Sequence, residues 1–475
     1  MPTRHRQTLA PLTNEFQIRS GDGVYDMASR ILGATAFAAF VLAHLATPAA
    51  AADAALQLDT ALSQRILAAG DVQRLHVRVG MKGVRRGMEK SRAPMNIALV
   101  IDRSGSMQGK RIDEARRAAQ MAVDRLSPDD IVSVVSYDDR VEVEVPATKA
   151  TDRAAIKERI QRLTARGSTA IWAGMQAGAA EVRKFKGSDR VNRIILLSDG
   201  LANVGPSRPE EFAGLGRQLA AEGITVSTIG LGLGYNEDLM SKLATAADGA
   251  HAFVQEPADI AQFLAREFDD ALGVVAQDVE IIFTLGPGAK PLRSLGREAK
   301  IDGQRIIFKV GQIIAGAEQV LLAEMEVSAS AATGTTKVVT VDVAYRDVAT
   351  GEARTQSSSL TVGFGTATQA ATSLDPIVGR DVAVIHAREQ RQEAVKLRDA
   401  GRIEDAQRAF EASQRYVEER QRSLPSAAGY APLDDERKAS QAGAAPVAAT
   451  QEGWNKARKV QRESDANKAG SSTRY

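Results

Sequence analysis

A chain of 475 residues is long enough for two or three domains. Its 61 Lys and Arg nearly balance 59 Asp and Glu, a formal net charge of +2, so the charge gives no reason to expect a nucleic acid or an acidic polymer as partner. Five His and no Cys leave little material for zinc, thiol catalysis or haem, and the lack of Cys forbids disulfides without forbidding export.

Taken in chain order, the first feature is Arg30 followed by the apolar run 31–43 and the small residues 48–52. A positive residue, an apolar core and a small-residue cleavage site predict a secretory signal over 1–52, cut close to Ala51. Glu15, Asp22 and Asp26 are odd in a signal, so translation is expected to start at Met27. The core is too short and too Ala-rich for a comfortable membrane span, and an uncleaved anchor is the alternative. The expected product is exported, periplasmic or extracellular, with no transmembrane span in the mature chain. Residues 53–92 read as a linker and the first strand of a later domain, because 72–79 alternates in polarity.

Residues 93–267 alternate between strand and helix patterns. The apolar run 96–101 reads as a buried strand. Asp102-Arg103-Ser104-Gly105-Ser106 follows, and then 110–126 places Ile112, Ala115, Ala119, Ala122 and Leu126 on one helix face. Strands are expected at 131–137, 141–145, 193–197, 224–231 and 251–254, the first two as an antiparallel hairpin. Helices are expected at 151–163, 171–185, 209–221, 236–247 and 258–267. Such alternation predicts a doubly wound, mostly parallel sheet with helices on both faces.

The turn at 102–106 lies where open α/β sheets bind ligands, at the carboxyl end of a strand. Asp102, Ser104 and Ser106 offer three oxygens at alternate positions, and Gly105 lets the backbone bend between them. Thr169, at the start of a second helix, and Asp199, at the end of a second strand, add two more. Oxygen-only donors suit Mg²⁺, with Mn²⁺ as a substitute. The same residues would also serve as ordinary turn residues and helix caps.

Strand-DxSxS, then Thr, then strand-SDG resembles the von Willebrand factor A domain and its metal-ion-dependent adhesion site. The resemblance covers 93–267 and matches all five positions: Asp102, Ser104, Ser106, Thr169 and Asp199. It implies Ser104 and Ser106 as direct ligands, Thr169 as a direct or water-mediated one, and both Asp acting largely through water. It further implies a protein partner that offers an exposed acidic side chain to the ion. A metal-dependent hydrolase or phosphotransferase is the competing class, but Ser104 stands where such sites carry a second Asp, and no Lys or His is tied to the motif. A structural envelope protein with a vestigial metal site is the third reading.

Beyond this region, 268–365 changes to period two. Strand patterns at 278–285, 305–310, 319–327, 336–345 and 357–362, with Gly-rich turns between them, predict a β-sandwich. The chain resembles bacterial exported A-domain proteins, in which a sandwich flanks the A-like domain on both sides in sequence. That resemblance implies that the strand near Val77 pairs with strands beyond Val275. An ordered linker at Val72 and a separate sandwich is the alternative. Residues 375–423 read as a helical hairpin breaking at Gly401, similar to one tetratricopeptide unit, which cannot bury its own face. Its expected packing is on the sandwich or on a second copy.

The tail at 424–475 is rich in Ala, Gln, Ser, Lys, Arg and Glu and is expected to be disordered, with Trp454 a stray aromatic. Among the lesser features, Trp172 is expected in the core and Arg103 at the exposed loop. His76, His251 and His386 read as surface or structural residues, and Gly230 to Gly234 as a flexible turn beside the metal site.

Overall fold

The computed structural model describes residues 54–70, 72–85, 93–187, 189–328, 334–425, 428–444 and 450–470; the expected signal at 1–52, with Met27, lies outside them. Strands β1 (Leu56–Leu62), β2 (Ile66–Ala68) and β3 (Val72–Gly83) come first. In β3 the alternate residues Leu75, Val77, Val79 and Met81 are buried, as a strand with one face on a core requires.

The chain next builds β4 (Met95–Asp102), α1 (Lys110–Asp124), β5 (Ile131–Tyr137), β6 (Val141–Lys149), α2 (Arg153–Gln161) and α3 (Ile171–Lys184). It continues through β7 (Val191–Ser198), α4 (Pro209–Ala221), β8 (Ile224–Leu231), α5 (Glu237–Ala246), β9 (His251–Val254) and α6 (Ile260–Leu272). The six strands form one sheet in the order β6-β5-β4-β7-β8-β9, parallel except for β5 with β6. Strands β4, β5, β7 and β8 are buried along their whole length, because helices cover both faces. Helices α1, α2 and α6 pack over Ile97, Leu99, Ile101 and Ile195 on one face. Helices α3, α4 and α5 pack over Ala98, Val100, Ile194 and Leu196 on the other. Trp172 joins that second layer, edge-on to Phe212 at 5.2 Å.

A second body follows from β10 (Val274–Leu285), β11 (Ala289–Leu295), β12 (Lys300–Asp302), β13 (Arg305–Ile314), β14 (Glu318–Ser328), β15 (Thr335–Asp347) and β16 (Ala353–Gly365). Its two sheets run β1-β3-β14-β11 and β12-β13-β10-β15-β16-β2. Strand β3 pairs antiparallel with β14 from Val72 to Lys82, so residues from both sides of the α/β segment share one sheet. Between the sheets lies a core that includes Val77, Val79, Ile281 and Val341, with the rings of Phe283 and Phe308 5.3 Å apart. Strand β11 has no strand pattern in sequence because it carries Pro291. It is an edge strand with a register shift at that point, where a missing N–H is tolerated.

Helices α7 (Ala367–Thr372), α8 (Pro376–Asp399), α9 (Ile403–Ser423), α10 (Ala431–Ala444) and α11 (Gln451–Gly470) complete the described residues. The tail is therefore helical where disorder was expected. Its composition is poor in apolar residues but rich in helix formers, and a few long-range anchors order it. Trp454 is buried among Ala394, Val395, Ala406 and Phe410, and its Nε1 donates to Asp399 Oδ1 at 3.0 Å. Arg391, fully buried on α8, donates to Glu436 of α10 at 3.1 Å and to Asp465 of α11 at 2.5 Å. The tail thus covers the face that the hairpin could not bury alone. The hairpin also packs on the sandwich, where Arg78 of β3 donates to Asp381 of α8 at 2.7 Å.

Candidate metal centre

Strands β4 and β7 are central neighbours, with Ile101 opposite Leu197, so their carboxyl ends bring Asp102 and Asp199 together. Asp102 is 0 % exposed. Its Oδ1 accepts from the Ser104 backbone N–H at 2.8 Å and its Oδ2 from the Ser198 hydroxyl at 2.6 Å. Burial pushes the carboxyl up to about 6, against the opposing pull of these hydrogen bonds. The Ser104 and Ser106 hydroxyl oxygens lie 3.0 Å apart, and Ser106 donates to Asp199 Oδ1 at 2.6 Å. Thr169 completes the set from the loop ahead of α3. One point in space, the place a Cβ on Gly200 would fill, lies 3.2 Å from Thr169 Oγ1 and 3.5 Å from Ser106 Oγ. Glycine there keeps a cradle open between the hydroxyls.

Backbone contacts tie the two loops into one unit. The N–H of Gly105 donates to Gly167 O at 3.0 Å, that of Arg166 to Arg103 O at 2.7 Å and that of Ala170 to Asp138 O at 2.8 Å. Gly167 has φ +70°, and a Cβ there would run into Asp139, so only glycine suits this bend. Asn203 fixes Thr169 from the far side, accepting from its N–H at 2.8 Å and donating its own N–H to Thr169 O at 3.2 Å.

All five sequence-predicted oxygens thus meet at one mouth, where Ser106 is exposed and Asp102, Ser104, Thr169 and Asp199 are buried. Among the described residues no group of three or more His, Cys, Asp or Glu gathers to hold a metal. This donor set contains two carboxylates and three hydroxyls, which fits a hard cation that keeps part of its water.

Arg103 departs from its expected exposure. It is 4 % exposed, because the β5–β6 hairpin folds over it, and it pairs with Asp138 at 3.0 Å, Glu142 at 2.8 Å and Glu144 at 3.2 Å. Burial alone would raise the Asp138 carboxyl, but Arg166 and Arg103 outweigh it and hold the group below the usual carboxylate range. Arg111 was not anticipated at all. Its Nη1 lies 2.5 Å from Asp199 Oδ2 and donates to Ser106 O at 3.0 Å. The five-residue spacing of Arg111 after Ser106, at the start of a helix, is the only sequence signal for it. Ser198 stands in the SDG motif without betraying its bond to Asp102, and nothing in sequence marks Asn203.

The family model for the von Willebrand factor type A domain matches residues 96–266. The chain carries a von Willebrand factor type A domain. Solved structures agree on the fold. A von Willebrand factor type A protein from Catenulispora acidiphila superposes with a TM-score of 0.68 at 19 % identity, over 82 % of this chain and 90 % of that one. The ArnB paralog VWA2 from Sulfolobus acidocaldarius gives 0.59 at 15 % identity, over 88 % and 98 %. Among curated relatives, the uncharacterized protein sll0103 of Synechocystis sp. is 29 % identical over 320 residues, 65 % of this chain and 75 % of its own. The inter-alpha-trypsin inhibitor heavy chain H3 of Rattus norvegicus is 26 % identical over 200 residues, which are 40 % of this chain but only 22 % of the relative. The likeness to that protein therefore reaches only part of it.

Proposed function

We propose that this chain is an exported protein-binding module whose VWA domain captures an acidic side chain of a partner protein through a bound Mg²⁺ or Mn²⁺. A VWA domain supports a role in protein interaction or adhesion. The observation that carries the metal reading is the convergence of Ser104, Ser106, Thr169, Asp102 and Asp199 around the cradle at Gly200. Ser104 and Ser106 would hold the cation directly, Thr169 directly or through water, and the two Asp largely through water. When bound, the cation would supply an electrophile for the partner's carboxylate. The chain's own residues do the rest: Ser198 and the Ser104 N–H orient Asp102, Asn203 positions Thr169, and the 166–170 loop backs the 102–106 turn.

Asp102→Ala should lose Mn²⁺ binding in calorimetry and partner recovery in a pull-down, while its far-UV circular dichroism stays that of the wild type. EDTA should reproduce the loss, and added Mn²⁺ should restore the wild type but not the variant. Partner binding that survives both EDTA and Asp102→Ala would place the binding surface elsewhere. Export rests on Arg30, the apolar run 31–43 and the small residues that follow. Amino-terminal sequencing of the secreted protein should begin within a few residues of Ala52; an intact Met27 in the cytoplasmic fraction would refute export.

A further inference from the structure

Helix α11 closes the open edge of the VWA sheet. Strand β9 is the last of that sheet, and an edge strand presents unpaired N–H groups. Asn467 Oδ1 accepts from the His251 N–H at 3.0 Å, and the Glu463 carboxyl faces the Phe253 N–H. Four helical residues rise about 6.0 Å and two strand residues span about 6.6 Å, so acceptors at i and i+4 match donors at i and i+2. The helix thus stands in for a missing strand.

The rest of the seam is charged. The side chain of Lys459 is 2 % exposed, and its Nζ donates to Tyr235 O at 2.8 Å and to Glu237 Oε2 at 2.5 Å. It also lies 4.0 Å from the centre of the Tyr235 ring. Arg458 pairs with Glu237, and Arg462 pairs with Asp238 at 2.7 Å. Trp454, the large apolar residue of α11, packs into the helical bundle and not into this seam. A seam held by ions over an edge strand can be opened at less cost than an apolar core.

The loop that Lys459 grips touches the candidate cation site. A Cβ on Gly234 would lie 3.0 Å from Asp199 O, and one on Gly232 would lie 3.2 Å from Arg111 Nη2. Arg111 itself pairs with Asp199. The loop 232–235 therefore meets α11 through Tyr235 and approaches the Asp199 backbone carbonyl and Arg111 through its glycines.

We propose that α11 is a displaceable brace, and that its docking on β9 and α5 is coupled to cation binding at Asp199 through the loop 232–235. The inference rests on the cation reading given above. Docked, the brace fixes the loop against the Asp199 backbone, so the oxygens reorganise less when a cation arrives. Released, it leaves the loop free and the cation more weakly held. Linkage makes the coupling reciprocal: the cation must tighten the brace by the factor by which the brace tightens the cation.

The test uses the full chain and Mn²⁺ alone. Saturating Mn²⁺ should slow amide exchange at His251 and Phe253 by about fivefold or more, the low end of typical couplings. Lys459→Met, which keeps the stem and removes the charge, should weaken Mn²⁺ binding in calorimetry by about the same factor. Asp102→Ala should abolish both the heat and the added protection. Normal Mn²⁺ heat with unchanged exchange at His251 and Phe253, and an unaltered Kd in Lys459→Met, would overturn the brace and leave the cation reading standing. No Mn²⁺ heat in the wild type would remove the cation reading, and the brace with it.

Discussion

A carboxyl group at the end of a buried strand is costly to ionise, and Asp102, with a pKa up to about 6, is held well above its ordinary 3.8. Below the lower value it is protonated in folded and unfolded chains alike. Between the two values the unfolded chain ionises first, so the native state binds more protons and stability falls as pH rises. Above the upper value, near 6, the full cost stands, about 3 kcal/mol at the usual conversion. Asp102→Asn removes this titration. In EDTA, the stability of that variant relative to the wild type should improve by about 3 kcal/mol between roughly pH 4 and 7, read from urea unfolding. A difference that does not change with pH would mean that Asp102 ionises normally. The five site oxygens were legible because residue type and chain order suffice to find them. Ser198, Asn203 and Arg111 were not, because their roles depend on which loops the sheet places side by side. Arg103 was misread for the same reason: its burial is made by Glu142 and Glu144 on a neighbouring hairpin.

At the level of elements, the α/β alternation was readable because the central strands β4, β5, β7 and β8 are largely apolar and the helices between them carry an apolar face. Helices α10 and α11 were not, since their few anchors, Leu433, Trp454 and Asp465, find partners only in the folded bundle. Helix α3 shows how an element serves the site. It lies so close to the sheet that a Cβ on Gly178 would run into Val100, and one on Gly174 would meet the Tyr137 ring at 2.6 Å. Those glycines set the height of α3, and Thr169 sits just ahead of its first turn. Gly178→Ala gains helix propensity but overpacks the core, and overpacking costs about 1–3 kcal/mol. The expected net result is a lower midpoint in thermal unfolding together with weaker Mn²⁺ binding. A midpoint equal to or above that of the wild type would show that α3 has room to shift.

At the scale of the whole molecule, the VWA domain emerges from a narrow neck. Gly83 donates its N–H to Ala317 O at 3.0 Å, and Ala315 donates its own to Gly273 O at 2.7 Å. The entry and exit of the domain are thus held by the same short stretch of chain, between β13 and β14. The sandwich core draws its buried residues from 55–81 and 276–362, with none from 93–267. Helix α6 runs to Leu272 and buries Phe268 and Ala271 in the VWA core, five residues past the boundary expected from sequence. Excising 93–272 and joining the ends with a short Gly/Ser linker should therefore leave a remainder that unfolds cooperatively and keeps its β-sheet circular dichroism. The removal has a specific cost at the other end of the chain. Lys459, Arg458 and Arg462 lose Glu237 and Asp238, while Trp454 keeps its place between α8 and α9. Amide exchange in α11 should accordingly rise over 459–463 and stay slow near Trp454 and near Asp465, which Arg391 still holds. A remainder without a cooperative transition, made alongside an isolated 93–272 that folds, would mean that the sandwich depends on the domain inserted into it.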